Sequence, residues 1–253
     1  MRNLAVAIAL VLLVSSAASA SMDEARQACV DAATAYAESD FDRAAQLYQD
    51  ARELGLDTAV VHYNLGNARF KQGQLGEAIA SYLRAARIDP RNPAIRTNLE
   101  RARAQIKDVD LSGQNLPPVL RPFQWGYARF SANEWLVFAL LLWVLLATVR
   151  IAAQWRNLPP DRVRTVSGIL LGLSVLAFAV GGFRYQQDFV VDRAVVVAEE
   201  VDVRSGPGTS YNLAFRVHEG LPVRVAEDRG DWLRIDLGGE LVGWVPVASL
   251  EAI

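Results

Sequence analysis

The stretch AVVHYNLGNARFKQGQLGEAIASYLRAARIDPRN, residues 59–92, decides the fold of the first part of this chain. Its pattern predicts two antiparallel helices joined by a tight turn. Gly66 and Ala78 are small where the two helices would touch. Gly73 is suited to end the first helix, and Pro90 follows the second, because glycine and proline commonly mark helix ends. Three further side chains complete the contact: Leu65, Tyr82 and Ala85.

These residues at these offsets closely resemble a tetratricopeptide repeat (TPR), a helix–turn–helix unit of about 34 residues. The resemblance implies a non-catalytic unit that stacks on its neighbours and presents a groove to a peptide or protein. The same spacing one period earlier gives a less regular repeat over residues 25–58. Asn92-Pro93 then begins a capping helix over residues 93–106, with Pro at the first helical position. The predicted TPR region is therefore residues 21–106.

The predicted array is short, because about three repeats are normally needed to bury their apolar faces. We therefore expect a partner or a self-association surface to cover it. By resemblance to other TPR proteins, side chains of the first helix of each unit line a groove. Tyr63, Asn67, Phe70 and Arg101 are the predicted partner contacts. For Tyr63 and Phe70, packing between repeats is the alternative.

Residues 1–20 are typical of a secretory signal peptide. Arg2 gives a basic start, Leu4–Val14 is an apolar core, and Ala18-Ser19-Ala20 is a small-residue cleavage site. The core is too short for a comfortable membrane span. We expect export with cleavage after Ala20, and an uncleaved N-terminal anchor is the alternative.

Two longer apolar runs predict transmembrane helices at residues 133–153 and 165–185. The loop between them, residues 154–164, is rich in arginine and is expected in the cytoplasm, because short cytoplasmic loops carry an excess of positive charge. Both flanking parts then lie outside, and residues 107–132 form a linker along the membrane. The charged residues in and beside the loop are Arg150, Arg156, Arg162 and Arg164 against Asp161.

The second predicted span carries small residues along one face, including a G-x-x-x-G pair that would let another helix approach closely. Packing on the first span is one interpretation, and packing on a partner's helix is the other. The uninterrupted apolar cores of the two spans, Trp135–Val149 and Thr165–Phe183, contain no ionisable residue of the kind that a transporter or proton relay needs. The hairpin is therefore predicted to be an anchor. The residues of this face are Gly168, Gly172, Val175, Ala179 and Gly182.

Charge is unevenly distributed along the chain, although the formal net charge is only −2. Basic residues outnumber acidic ones by 7 to 2 over residues 111–186, whereas both flanking parts are acidic. The basic excess thus lies beside the predicted membrane segment. A basic patch on a soluble domain, which nucleic-acid binding requires, is not indicated.

From Arg193 onward the pattern changes to short alternating runs separated by glycine-rich turns, which predicts a small β-barrel or sandwich. The segments VDVRSGPGTSYN, HEGLPVRV, GDWLRI and GWVPVASL closely resemble the bacterial SH3-like domain over residues 193–253. By that resemblance Arg204 and Tyr211 edge a ligand groove, although bracing of the long loop is the alternative. The resemblance also implies a core that contains Val203, Trp232, Ile235, Trp244 and Val245. The predicted strands are Val195–Val197, Val201–Val203, Ala214–Val217, Val223–Val225, Trp232–Ile235 and Leu241–Val245.

Catalytic, cofactor and metal motifs are missing from the sequence. Neither His62 nor His218 has a second His or Cys nearby in sequence, Cys29 is the single cysteine, and neither a nucleophile elbow nor a phosphate-binding loop is present. We therefore predict a multidomain, non-enzymatic protein without a cofactor: all-α TPR repeats, a two-helix transmembrane hairpin and an all-β SH3-like small barrel.

The order of these segments resembles the BatE-like proteins of the Bacteroides aerotolerance (Bat) set of bacterial membrane proteins. The resemblance implies an inner-membrane scaffold whose TPR and SH3-like domains are periplasmic. It also implies partnership with von Willebrand factor A-domain proteins and a MoxR-type ATPase, in envelope integrity or stress tolerance. A peptidoglycan tether or sensor that acts through the SH3-like domain is the alternative function.

Overall fold

The described part of the chain forms two compact units. One unit contains the N-terminal helices and the C-terminal strands, and the other contains two long apolar helices. The predicted signal peptide and most of the predicted linker lie outside the described residues. The computed structural model describes residues 21–108, 130–156, 158–186, 192–239 and 241–253.

Five helices form the repeat region, as the sequence pattern predicts. Consecutive helices pack against each other in the order α1 to α5, and their buried faces are built largely from alanine. Small side chains allow close approach of neighbouring helices, which is the packing that a helical repeat requires. The helices are α1 at residues 21–37, α2 at Phe41–Glu53, α3 at Ala59–Lys71, α4 at Leu75–Ile88 and α5 at Pro93–Arg103.

The starts of these helices follow local capping chemistry. The side chains of Asp40, Thr58 and Asn92 each accept a hydrogen bond from a backbone N–H in the first turn of α2, α3 and α5, respectively. Such a bond satisfies one of the donors that a helix start leaves unpaired. At α4 the N-cap is Gln74, whose side chain makes no capping bond. The start of α4 therefore depends on another part of the chain.

Two long apolar helices form the second unit, and both are long enough to cross a membrane. They are α6 at Ala132–Arg156 and α7 at Pro160–Tyr185. The Ser174 hydroxyl donates a hydrogen bond of 3.1 Å to the Ala139 carbonyl oxygen, and both residues are buried. This antiparallel pair is compatible with membrane anchoring.

The face of α7 that packs against α6 differs from the glycine face noted in the sequence. The packed face contains Ser167, Ser174, Ala177 and Gly181. By contrast, no atom of α6 lies within 4 Å of a Cβ built at Gly168, Gly172 or Gly182. The interpretation that the glycine face packs on the first span is therefore wrong. Most of the residues that pack against α6 lie one position before a residue of the glycine face, so α7 turns a neighbouring face toward α6.

Seven strands form one antiparallel sheet in the order β3-β2-β6-β5-β4-β1-β7. The last strand, β7, is absent from the sequence prediction because it follows a short 3-10 turn and spans three residues. The strands are β1 at Arg193–Val196, β2 at Glu200–Arg204, β3 at Leu213–His218, β4 at Pro222–Asp228, β5 at Trp232–Asp236, β6 at Val242–Pro246 and β7 at Leu250–Ala252.

The core of the strands contains Val203, Ile235 and Val245, as the resemblance implies. Trp244 is also buried, with 7% exposure, but it lies outside that core cluster. Successive side chains of a strand point to opposite faces, so Trp244 and its neighbour Val245 cannot share one face. The Trp244 ring lies under the Arg229 guanidinium instead, at 5.1 Å from the ring centroid. Trp232 is half-buried and also lies outside the core cluster.

Candidate functional site

The repeat helices enclose a cavity of about 220 Å³ on the face that α3 and α5 share. Tyr63, Asn67 and Phe70 reach it from α3, since positions i, i+4 and i+7 of a helix lie on one face. Arg101 reaches it from α5, so the structure brings together all four residues predicted to contact a partner. The lining residues are Tyr36, Tyr63, Asn67, Phe70, Lys71, Tyr82, Asn98 and Arg101.

A network of hydrogen bonds forms the floor of this cavity. The Tyr82 hydroxyl donates to Asn67 Oδ1 over 2.8 Å, and Asn98 Nδ2 donates to the same oxygen over 2.8 Å. Asn98 Nδ2 also donates to the Tyr63 hydroxyl over 3.1 Å. Because the two donors occupy Asn67 Oδ1, they fix the orientation of the amide. Within the described part of the chain, Asn67 Nδ2 then remains as a donor for a ligand.

Burial raises the pKa of the Tyr82 hydroxyl above its ordinary value, so this group stays protonated and acts as the donor to Asn67. Tyr82 is almost fully buried, and its ring lies 6.1 Å from the ring of Tyr63, centroid to centroid. The network therefore holds the tyrosine and asparagine side chains in one arrangement before any ligand enters. A preorganised site of this kind loses less conformational entropy on binding.

The charges around the cavity are positive. Lys71 and Arg101 are exposed, and no Asp or Glu is among the lining residues. Aromatic rings and amides supply the rest of the surface. Tyr63 and Phe70 are half-buried and also pack against the core of α4 and α5, so packing between helices and lining of the cavity coexist. The site suits a peptide with an apolar side chain next to a carboxylate or a backbone carbonyl group.

Besides the four predicted contacts, the cavity is lined by Tyr36, which the repeat spacing also places on the groove side, and by three residues without a predicted groove role. The sequence pattern places Tyr82 at the contact between helices and indicates no groove role for Lys71 or Asn98. Asn98 follows Thr97, which the repeat spacing places on the groove side of α5, so a shift of one residue along the helix would have found it. Lys71 is the last residue of α3, where the repeat pattern carries no groove position.

In the strand unit, Arg204 is used to hold the loop that follows β2. Its Nη1 donates to the carbonyl oxygens of Thr209 and Tyr211, over 3.0 and 2.9 Å, and its Nη2 donates to Asp202 over 3.3 Å. This geometry corresponds to the alternative interpretation, in which Arg204 braces the long loop. Tyr211 is 47% exposed, with its ring lying over Gly206, where a Cβ would come within 2.4 Å of the ring. Tyr211 is thus the more accessible of the two predicted groove residues.

Metal-binding geometry is not found in the described ranges: no three His, Cys, Asp or Glu side chains there are grouped so that they could hold a metal ion. His62 is buried and bonds to Asp57, and His218 bonds to Asp108. Both imidazoles therefore have structural partners.

Comparison with known families supports both modules. Residues 66–99 match the model of the TPR repeat, and residues 197–251 match the model of the bacterial SH3 domain. The chain thus contains a TPR repeat and a bacterial SH3 domain. Both are typically non-catalytic binding modules.

A curated protein matches the strand region. The "Putative N-acetylmuramoyl-L-alanine amidase YrvJ" of Bacillus subtilis is 42% identical over 52 residues, which are 21% of this chain. The match spans only 10% of the length of that protein. Among solved structures, the TPR domain of Arabidopsis OM64 aligns with 61% of this chain and 96% of its own, at 14% identity and a TM-score of 0.33. That score is too low to support an argument about shape.

Proposed function

We propose that this protein is a non-enzymatic, membrane-anchored scaffold whose TPR groove binds a peptide segment of another envelope protein. The preorganised cavity between α3 and α5 is the observation that supports this most directly. It combines exposed cations, a free amide donor and aromatic rings, and aromatic and arginine side chains dominate the energetics of protein interfaces. The predicted contacts in this cavity are Tyr63, Asn67, Phe70 and Arg101.

The proposal includes an inner-membrane location with both binding modules on the periplasmic side. The repeat helices and the strands belong to one compact unit, so they must lie on the same side of any membrane that the chain crosses. Two spans between them return the chain to the side from which it came. The arginine-rich loop between α6 and α7 favours the cytoplasm for the turn of the hairpin.

The order of the modules supports a BatE-like role, in which the partners are von Willebrand factor A-domain membrane proteins and a MoxR-type ATPase complex. Such a scaffold would bring these proteins together in the envelope, with an effect on aerotolerance or stress tolerance. The TPR groove is the proposed docking site for a segment of one of the membrane partners.

The groove can be tested with the full chain in detergent as bait for co-expressed von Willebrand factor A-domain proteins. Asn67→Asp keeps the oxygen that Tyr82 and Asn98 need and replaces the free donor with an acceptor. This variant and Arg101→Gln, tested separately, should each weaken partner binding by about 1–3 kcal/mol, or roughly 5- to 150-fold. Arg96→Ala on the same helix, whose side chain is 69% exposed, is the matched control. Full partner binding by both folded groove variants would refute the groove as the docking site.

Cell-wall binding through the strand unit is a second candidate function. The observation that favours it is the 52-residue match to a protein whose name describes an enzyme of cell-wall chemistry. Tyr211→Ala in the full chain should then reduce co-sedimentation with purified peptidoglycan, while Asn67→Asp should leave it unchanged. If the parent chain fails to sediment with peptidoglycan, the tether function is excluded and the scaffold function is unaffected.

A further inference from the structure

The surface formed by α4 and the end of α3 is covered by strands of the same chain. Val195 of β1 is fully buried within the apolar cluster of the helices, beside Ile79, and Ile253 packs against that cluster. At the turn before β4, a Cβ on Gly220 would lie 3.0 Å from side-chain atoms of Ile79 and Ile106. The helices and strands therefore share one continuous core at this surface.

The start of α4 receives from the strand unit the cap that its own sequence lacks. The backbone N–H of Gly76 donates to Glu219 Oε1 over 2.8 Å, whereas the side chain of Gln74 makes no capping bond. A carboxylate at this position satisfies an unpaired donor and interacts favourably with the positive end of the helix dipole. The cap of α4 is thus 143 residues away in sequence.

Gly76 also permits the close approach of β1. A Cβ at this residue would lie 2.4 Å from the carbonyl oxygen of Val196 and 2.8 Å from the Cα of Val197. Both are backbone atoms, which cannot rotate away as the end of a side chain can. The glycine lies within the first turn of α4, where alanine would be the better helix former. Its value at this position therefore comes from the contact with the strands.

Charged groups close the edge of this contact. Glu251 of β7 accepts hydrogen bonds from Arg69 of α3 at 3.0 and 3.2 Å and from Arg84 of α4 at 2.6 Å. Arg84 also donates to the carbonyl oxygen of Ala252. The three charged side chains are only 12–20% exposed. Loss of the carboxylate would leave two largely buried guanidinium groups without their anion, which is a costly arrangement.

A fourth contact lies where the helical region ends. Asp108 Oδ2 accepts from the backbone N–H of His218 over 2.6 Å, and Oδ1 lies 2.8 Å from His218 Nδ1. Four separate contacts therefore join the helices to the strands: a shared apolar core, a helix cap, an ion cluster and this pair.

We infer that the bacterial SH3-like barrel is the built-in cap of the TPR array. The repeat region and the barrel are two halves of one cooperative folding unit, into which the membrane segment is inserted. The barrel takes the place of the additional repeat that so short an array needs. The α4 surface is consequently occupied by the chain itself, and the barrel does not swing as a tethered module. This inference is independent of the partner that the groove binds.

Hydrogen exchange of the full chain in detergent tests the inference, because the Gly76 amide is protected by Glu219 only in the docked arrangement. Glu219→Ala combined with Glu251→Ala should accelerate exchange in the first turn of α4 and in β7 by at least about tenfold. The strands β2 to β5 should keep their protection. The matched control is Glu199→Ala, an exposed glutamate of the same barrel whose side chain makes none of these contacts and whose backbone bond to Glu219 the substitution keeps.

Gly76→Ala provides a second test, because an isolated array and the docked unit predict opposite changes in the exchange rate. In a free helix, alanine is favourable and would slow exchange. In the docked unit, the added Cβ collides with backbone atoms of β1, so exchange in the first turn of α4 should accelerate. The inference is overturned if Gly76→Ala slows exchange there. It is equally overturned if the two glutamate substitutions leave exchange in α4 and β7 unchanged.

Discussion

Gly66 and Tyr82 are in contact across the two helices of the central repeat, with no space for even one methyl group between them. A Cβ at Gly66 would lie 2.7 Å from Cδ1 and Cε1 of the Tyr82 ring, and that ring is almost fully buried. The Tyr82 hydroxyl is also fixed by its bond to Asn67. The ring therefore cannot move aside without loss of the groove network.

Gly66→Ala should destabilise the chain, although alanine is the better helix former by about 0.8–1 kcal/mol. Overpacking of a tight contact costs about 1–3 kcal/mol, and here it also displaces a hydrogen-bonded ring. Thermal unfolding followed by circular dichroism measures the effect. The double variant Gly66→Ala/Tyr82→Leu should recover part of the loss by making space. An unchanged or higher melting temperature for Gly66→Ala would contradict the contact.

His62 makes the stability of the repeats sensitive to acid. Its imidazole is 2% exposed, and within the described structure its Nδ1 atom is buried without a hydrogen-bond partner. Burial lowers the pKa of His62 below 6.5, while the hydrogen bond to Asp57 opposes this shift. As the pH falls through 6.5 the unfolded chain takes up a proton, whereas the folded chain resists protonation until a lower pH.

His62 therefore reduces the free energy of unfolding as the pH falls from 6.5 to the lower pKa of the folded state. His62→Gln removes this titration and keeps a polar side chain. Melting temperatures of parent and variant between about pH 8 and pH 5 should converge toward acid, because only the parent loses the His62 contribution. Parallel curves across this interval would show that His62 does not titrate differently on folding.

The stacked pair of Arg229 and Trp244 predicts unequal effects on the barrel. Arg229→Ala should cost about 0.5–1 kcal/mol, the typical value of an exposed cation–π contact. Trp244→Ala should cost about 3–5 kcal/mol, because a large buried side chain is lost. Trp244→Phe keeps an aromatic face and should lie between them in thermal unfolding. Equal losses for Arg229→Ala and Trp244→Ala would mean that burial of the indole contributes little.

Membrane topology can be tested with reporters that are active only outside the cytoplasm. Fusions after Lys107 and after Ile253 should both be active, and a fusion at Leu158 should be silent, because positive charge resists translocation of the loop. Replacing Arg156, Arg162 and Arg164 with Glu should disturb insertion of the hairpin. Different results at Lys107 and Ile253 would contradict both the two-span hairpin and the packing of helices on strands.

Local structure was largely readable from the sequence, because its causes are local. Asp40, Thr58 and Asn92 cap the helices at which their positions predict a start. Gly55 and Gly73 end helices with positive φ, a conformation that glycine adopts without steric cost. The four predicted groove residues, which line the cavity, followed from the resemblance to other TPR proteins. Asn98 was missed because a one-residue offset changes the face of a helix.

The packing of helices on strands could not be read from the sequence. Gly76, Glu219 and Glu251 lie far apart along the chain, and none belongs to a periodic pattern. In the sequence, Gly76 is a glycine near a helix start, and nothing distinguishes the two glutamates from the other acidic residues of their domain. Only the folded arrangement shows that they meet. The wrong prediction for the glycine face of α7 has the same cause. Periodicity shows which residues share a face of a helix, but it does not show which element packs against that face.

The position of β1 in the sheet has a mechanical consequence. This strand, which opens the barrel at Arg193, lies between β4 and β7 and is hydrogen-bonded to both. Tension that reaches Arg193 from the preceding residues and runs along the strand loads two ladders of backbone bonds in parallel. The bonds to β4 and to β7 must then break at the same time for β1 to move. An edge strand, by contrast, would resist the same pull with the bonds to one neighbour only. The strand order therefore gives the point of attachment more resistance to a pull than an edge strand would have.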